Sequence, residues 1–229
     1  METFALFVLV GFLAQAVDGA LGMAYGVVSS TVLLAFGVPP AVASASVHAA
    51  EVFTTGASAS SHVLHRNVTW RLFIPLAAAG VIGGALGAFV LTGVEGDVIK
   101  PFILAYLGIL GAWILIRGLR DIRPRHIRSV WGAPLGLIGG FMDAVGGGGW
   151  GPTVTTALVG AGKEPRRAIG TVNTAEFLVT IAISATFVWA LLTGHWEEAG
   201  ALQDHAWAVG GLIVGGLILY AGLTAHAEH

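Results

Sequence analysis

Residues 18–52 and 143–177 are one segment written twice, 125 positions apart and without a gap. Eleven of the 35 aligned pairs are identical: Asp18/Asp143, Gly22/Gly147, Gly26/Gly151, Thr31/Thr156, Leu33/Leu158, Gly37/Gly162, Pro40/Pro165, Ala43/Ala168, Val47/Val172, Ala50/Ala175 and Glu51/Glu176. Two of the pairs are acids and one is a proline, in surroundings that are otherwise apolar. Repeated hydrophobic segments interrupted at matched polar positions are the building plan of secondary transporters.

Composition places that repeat in a membrane. The 229 residues are 55% hydrophobic and 10% charged, where a soluble domain carries about 25% charged residues. Apolar runs of transmembrane length recur along the whole chain, so the sequence reads as a multi-pass integral membrane protein of the bacterial cytoplasmic (inner) membrane. Helices in lipid gain little from hydrophobic burial against one another, and the 34 glycines suit close backbone packing instead. The absence of cysteine excludes disulfides, thiolate metal sites and thiol nucleophiles. Phe4–Leu13 followed by Ala14-Gln15-Ala16 imitates a signal peptide, but Met1-Glu2-Thr3 carries no basic flank, which argues against cleavage.

The apolar segments run over about 3–36, 41–63, 72–92, 98–117, 129–161, 168–192 and 206–225. Segment 3–36 would be about 51 Å long as one helix at 1.5 Å per residue, too long for a single crossing of about 30 Å and too short for two. It and segment 129–161 are each interrupted by an acid and glycines, at Asp18–Gly22 and Asp143–Gly151. Each therefore reads as two half-length helices meeting at a break inside the membrane, where irregular backbone survives only if it lines a cavity or is buried in protein. Basic junctions at Arg66 and Arg71, at Arg117–Arg128, and at Lys163, Arg166 and Arg167 are cytoplasmic by the positive-inside rule; the neutral or acidic junctions at 37–40, 93–100 and 193–205 lie outside. These assignments agree only if both long segments enter and leave on one side and the two halves are inverted.

The expected fold is thus an all-α polytopic membrane protein of two inverted-topology repeats, each a re-entrant broken hairpin followed by transmembrane helices. The first repeat is 1–117, with hairpin 3–36 and helices 41–63, 72–92 and 98–117. A basic cytoplasmic linker, 118–128, joins it to the second repeat, 129–229, with hairpin 129–161 and helices 168–192 and 206–225. The repeat predicts one further apolar segment after residue 225, absent from this chain.

Two groups of residues carry chemistry. Where half-helices meet, free N–H groups and positive helix ends form an anion site without a basic side chain. The stronger candidate is Gly146-Gly147-Gly148-Gly149-Trp150-Gly151-Pro152-Thr153; its partner is Gly22-Met23-Ala24-Tyr25-Gly26. Trp150 and Tyr25 are placed as substrate walls, with Asn173 and Thr174 adding polar contacts. The alternative is that the glycines only permit tight packing. The second group follows each hairpin: Ser44, His48 and Glu51 share a helix face by i+4 and i+3 spacing, and Asn173 and Glu176 occupy the same face of the repeat. Ionisable residues in a membrane helix are expensive and point to function, so Glu51, Glu176, Asp18 and Asp143 are candidates for proton coupling; the alternative is a structural, helix-capping role. The eight histidines form no metal-ligand motif, no cofactor is implied, and the glycine spacing at 146, 148 and 151 lacks the strand–helix context of a dinucleotide site. The basic run 117–128 sets orientation rather than binding nucleic acid.

The duplicated glycine-rich break, the following half-helix, the Gly-x-x-Pro turns (Gly37 to Pro40, Gly162 to Pro165) and the small-residue helix after them resemble the sulfite exporter TauE/SafE family over nearly the whole chain. Gly146–Pro152 is closer to the family's glycine-rich motif than the first break, where Leu21, Met23, Ala24 and Val27 depart from it, so the second half is favoured as the anion anchor. The resemblance implies movement of sulfite, sulfoacetate or a similar sulfonate or carboxylate. The preferred reading is a secondary transporter, not an enzyme, with a midplane site at Gly22, Tyr25, His48, Gly147, Gly148, Gly149, Trp150, Pro152, Thr153, Asn173 and Thr174. Its partners are a small anion, the bilayer and protons, and a homo-oligomer is compatible with the pattern. The alternatives are a channel-like anion facilitator, or an intramembrane enzyme using Asp18 and Asp143.

Overall fold

The computed structural model describes residues 2–21, 24–119, 132–196, 200 and 209–218. The basic linker therefore lies outside the described residues, as do Gly22 and both ends of the predicted helix 206–225. Among the described residues all regular structure is helical. The helices are α1 (Glu2–Leu21), α2 (Tyr25–Ala35), α3 (Pro40–Leu64), α4 (Trp70–Thr92), α5 (Gly96–Leu119), α6 (Gly132–Gly146), a π-helical turn Gly151–Thr155 running into α7 (Thr156–Gly160), and α8 (Pro165–Thr193); a further apolar helix, α9, covers Val209–Ile218.

Both long apolar segments are broken where the acids and glycines stand. The start of α1 and the end of α2 come back together, with the Phe7 and Phe36 rings edge to face at 6.0 Å, so the segment is a hairpin. In the second hairpin, a side-chain carbon placed on Gly139 of α6 would lie 2.7 Å from Val154 on the returning arm. The arms are not half-length pairs, however. The first arms are 20 and 15 residues, and α2 has 11. At 1.5 Å per residue α1 is about 30 Å long, whereas α6 is about 22 Å and α2 about 16 Å, so the first arm is the longer one in each hairpin.

Each returning arm ends the same way. Gly37, at φ +84°, donates to Leu34 while Val38 donates to Leu33; Gly162, at φ +77°, donates to Val159 while Lys163 donates to Leu158. This is the glycine-terminated helix end in which a left-handed residue lets the chain satisfy its last carbonyls. The next helix then opens on Pro40 or Pro165, where a missing N–H costs nothing. The repeated glycine and proline are therefore stop and start signals for a single turn used twice.

Glycine also sets how the two halves grip each other. On α4 and α6, side chains added at Gly83, Gly87, Gly136 or Gly140 would run into the backbone of the facing helix, with Gly87 coming within 2.6 Å of the Phe141 carbonyl oxygen. On α1 and α9, Gly11 comes within 2.6 Å of the Leu212 carbonyl oxygen, and Gly215 meets the backbone at Val8. The first arm of each hairpin is thus packed backbone to backbone on a helix of the other half. Small residues allow this approach, and dispersion contacts supply the attraction that lipid cannot.

Among the described residues three helices are long and apolar enough to cross a membrane: Trp70–Thr92, Gly96–Ile116 and Pro165–Thr193. Helix α3 is long enough at 25 residues but is rich in Ser, Thr, Ala and His, and most of it is buried. It packs against α8, α2 and both breaks, so protein rather than lipid meets Ser44, Ser46, His48, Glu51, Thr54 and Thr55.

Candidate functional site

The two breaks lie against one another. A side-chain carbon on Gly26 would be 2.6 Å from Gly148 Cα and 2.9 Å from a Glu51 carboxyl oxygen. Gly148 itself, at φ +153°, touches the Gly26–Val27 peptide, and Gly147 is left-handed at φ +66°. Only glycine combines these torsions with so close an approach. The Ser30 hydroxyl donates to the Gly147 carbonyl, and the Ser44 hydroxyl donates to the Ala144 carbonyl at 2.5 Å. Residues of the first hairpin and of α3 therefore satisfy the carbonyls that the second break leaves open.

The repeated aspartates do the same task in both halves. Asp18 Oδ1 accepts from the Ala24 N–H at 2.7 Å and the Tyr25 N–H at 3.2 Å. Asp143 Oδ1 accepts from the Trp150 N–H at 2.9 Å. Tyr25 and Trp150 are equivalent positions, seven residues beyond each aspartate. A carboxylate thus reaches across each break and caps the positive end of the returning arm.

Between the breaks lies a cavity with about 30 Å³ of water-accessible space, enough for a water or two. Asp18, Glu51, Asp143 and Glu176 all line it, as do Tyr25, Gly148, Gly149, Pro152 and Asn173. Among the described residues no Lys or Arg lines it. Spacing in the sequence brings α3 and α8 in as matched walls, since Glu51 and Glu176 are repeat equivalents. Gln15, Thr54, Thr55, Ser58 and Gly151 also line the space and were missed. For three of these a signal existed: Thr54, Thr55 and Ser58 follow Glu51 at i+3, i+4 and i+7, the same face of α3.

Other expected contacts lie elsewhere. Trp150 does not wall the cavity. It is 0% exposed, its ring lies in the notch left by Gly80 of α4 and Gly139 of α6, and its indole N–H donates to the Val172 carbonyl at 3.1 Å. A large aromatic with one donor is satisfied by a buried groove with one acceptor. Thr153 faces an outer groove beside Trp113 and Ile116. Thr174 donates back to the Gly170 carbonyl at 2.6 Å. Gly147 is packed on Ser30 and Ser44. His48 is wholly buried behind the cavity, with Asp143 Oδ2 at 3.3 Å, and Gly22 lies outside the described residues. Asn173 meets the cavity while donating to the Ser58 hydroxyl at 3.2 Å.

A helical membrane protein with two broken hairpins joined at a polar cavity has the makings of a transporter. Comparison with known proteins gives the same class. Residues 7–227 match the family model for the sulfite exporter TauE/SafE, and the chain belongs to that family of membrane transporters. It is 44% identical over 220 residues to the probable membrane transporter protein YtnM of Bacillus subtilis (strain 168), covering 93% of this chain and 72% of that relative. No solved structure matches it.

Proposed function

We propose that this transporter is a secondary carrier of a small anion of the sulfite, sulfonate or carboxylate type, which binds together with protons where the two breaks meet, the water-sized cavity there widening to admit it. One observation carries the reading: among the described residues, four carboxyl groups and no Lys or Arg line the space where the two helix breaks meet. Magnitudes show why protons must be part of it. A helix end favours an anion by about 0.3–1 kcal/mol, up to about 2 when partly buried. One ionised carboxylate 4 Å away opposes it by about 4 kcal/mol at an effective dielectric of 20. The helix ends are also partly spent, since Asp18 and Asp143 already hold the Ala24, Tyr25 and Trp150 amides. A carboxyl that has taken up a proton stops repelling the anion and becomes a donor to it. Anion and proton then bind with positive coupling, and each raises the affinity for the other.

The sign of the pH effect follows. Anion binding tightens as pH falls, by about tenfold per pH unit for each coupled proton. In Glu51→Gln and Glu176→Gln the amide is neutral and donates at every pH, so each variant loses one proton's worth of that slope. Binding of sulfoacetate to the purified full chain, measured from pH 5 to 8 (about three units, spanning the carboxyl and imidazole ranges), tests this. Slopes unchanged in both variants and in the double variant reject it. A channel-like facilitator is distinguished in proteoliposomes, where it equilibrates the anion but gives no accumulation against a gradient when a pH difference is imposed.

A further inference from the structure

The proposed cycle leaves one buried titratable side chain without a task, His48. Its repeat equivalent is Asn173, so the first half carries an imidazole where the second carries an amide. Nδ1 of His48 lies 2.8 Å from the Ser44 carbonyl oxygen. A carbonyl only accepts, so Nδ1 carries a hydrogen. The Ser44 hydroxyl, 3.3 Å from the same nitrogen, sends its own hydrogen to Ala144 and is left to accept. The nitrogen free to gain and lose a proton is therefore Nε2. It faces two carboxyl groups, Asp143 Oδ2 at 3.3 Å and Glu51 Oε2 at 3.9 Å. A bare ring nitrogen and a bare carboxylate oxygen present lone pairs to each other, so the shorter contact needs a proton on one of them. Glu51 Oε2 is buried and has no hydrogen-bond partner among the described residues. His48 thus stands between the acid that lines the cavity from α3 and the acid that caps the second break.

We propose that His48 is the proton relay of the transport cycle, linking Glu51 of the first repeat to Asp143 of the second, with no counterpart at Asn173; this rests on the proton-linked reading above. In the first step the N–H bond at His48 Nε2 breaks and an O–H bond forms at Asp143 Oδ2, leaving a neutral ring that accepts from that hydroxyl. In the second, the O–H bond at Glu51 Oε2 breaks and an N–H bond forms again at Nε2, so the contact between the ring and Asp143 is never without a proton. Rotation of the Glu51 carboxyl, whose Oε2 nothing holds, closes the longer gap. Tyr25, Asp18 and Glu176 surround Glu51, and Tyr106 stands by Asp143; among the described residues only Glu51 and Asp143 come within ion-pair distance of the ring. The relay has a structural output. Asp143 holds the Trp150 amide through Oδ1, and a carboxylate accepts about twice as strongly as a neutral group. Proton arrival at Oδ2 therefore loosens the cap of the second returning arm, whereas Asn173 gives the opposite half no such device.

Two measurements on the full chain test the relay. Magnetic resonance of isotope-labelled histidine in lipid nanodiscs locates the proton without substrate, the His48 signal being the one lost in His48→Asn. Nδ1 is expected to be protonated, and Glu51→Gln and Asp143→Asn should each shift the Nε2 signal. A neutral ring with its hydrogen on Nε2, or an Nε2 signal indifferent to both variants, overturns the proposal. In proteoliposomes with sulfoacetate, His48→Asn, which copies Asn173, should lose about tenfold of pH-driven accumulation yet keep substrate exchange within about twofold, because exchange needs no net proton movement. His48→Gln serves if the first variant is not monodisperse. Equal loss in both modes, or loss in neither, overturns the relay. Wild type without pH-driven accumulation rejects instead the proton-linked reading, before any variant is compared.

Discussion

At the scale of single residues, the repeated aspartates and the break glycines are open to direct test. Asp143→Ala removes a buried acceptor from the Trp150 amide, a loss of about 1.5–3 kcal/mol for a hydrogen bond to a charged group. Asp143→Asn keeps a carbonyl acceptor and should cost less, so thermal unfolding in detergent should rank wild type, Asn, Ala. Gly148→Ala sets a methyl group against the Gly26–Val27 peptide and strains a φ of +153°; it should abolish folded, monodisperse protein. Gly19→Ala, with nothing within 4 Å, should be neutral or stabilising by up to about 1 kcal/mol. The acids were legible in the sequence because an ionisable group in an apolar run has few innocent explanations. Their division of labour was not. Whether a carboxyl group holds its own backbone across the break, as Asp18 and Asp143 do, or lines the cavity from the following helix, as Glu51 and Glu176 do, depends on the path of the chain between positions seven apart.

At the scale of elements, α4 and α6 show why glycine content was readable while its partners were not. Helical spacing puts Gly80, Gly84 and Gly87 on one face, but which helix approaches that face is a tertiary fact. Gly140→Leu drives a branched side chain into the α4 backbone at Gly80 and Gly84; overpacking of this kind costs typically about 1–3 kcal/mol, more when backbone must move. Size-exclusion profiles should show loss of the monodisperse species, whereas Gly108→Leu on α5, with open space around it, should leave the profile intact. Trp150 was misassigned from sequence for a related reason: an aromatic inside a glycine run reads as a ligand wall until the groove formed by Gly80 and Gly139 is seen to receive it. Trp150→Ala should destabilise the protein by about 3–5 kcal/mol, and Trp150→Phe by the smaller loss of its hydrogen bond to Val172. Neither change should shift the pH slope of anion binding.

At the scale of the whole molecule, the inversion of the halves expected from the repeat and the placing of the arginines makes a sidedness prediction. Single cysteines at Gly37 and Lys163, introduced into a chain that has none of its own, should react with impermeant reagents from opposite faces of the membrane; labelling from one face excludes inversion. Helix α3 carries a consequence of another kind, for the order in which the protein is made. Its polar face is tolerable only after α8 and the second hairpin have covered it, and these emerge from the ribosome about a hundred residues later. Until then a stretch with Ser, Thr, His and Glu51 must wait in contact with lipid or with the insertion machinery, which disfavours an acid at a helix centre by about 2.5–3.5 kcal/mol. In a membrane-insertion assay α4 alone should therefore integrate, whereas α3 alone should stay largely outside the bilayer and integrate when the second half is supplied with it. A helix that lines the proposed site is thus secured late, although it is among the first to be synthesised.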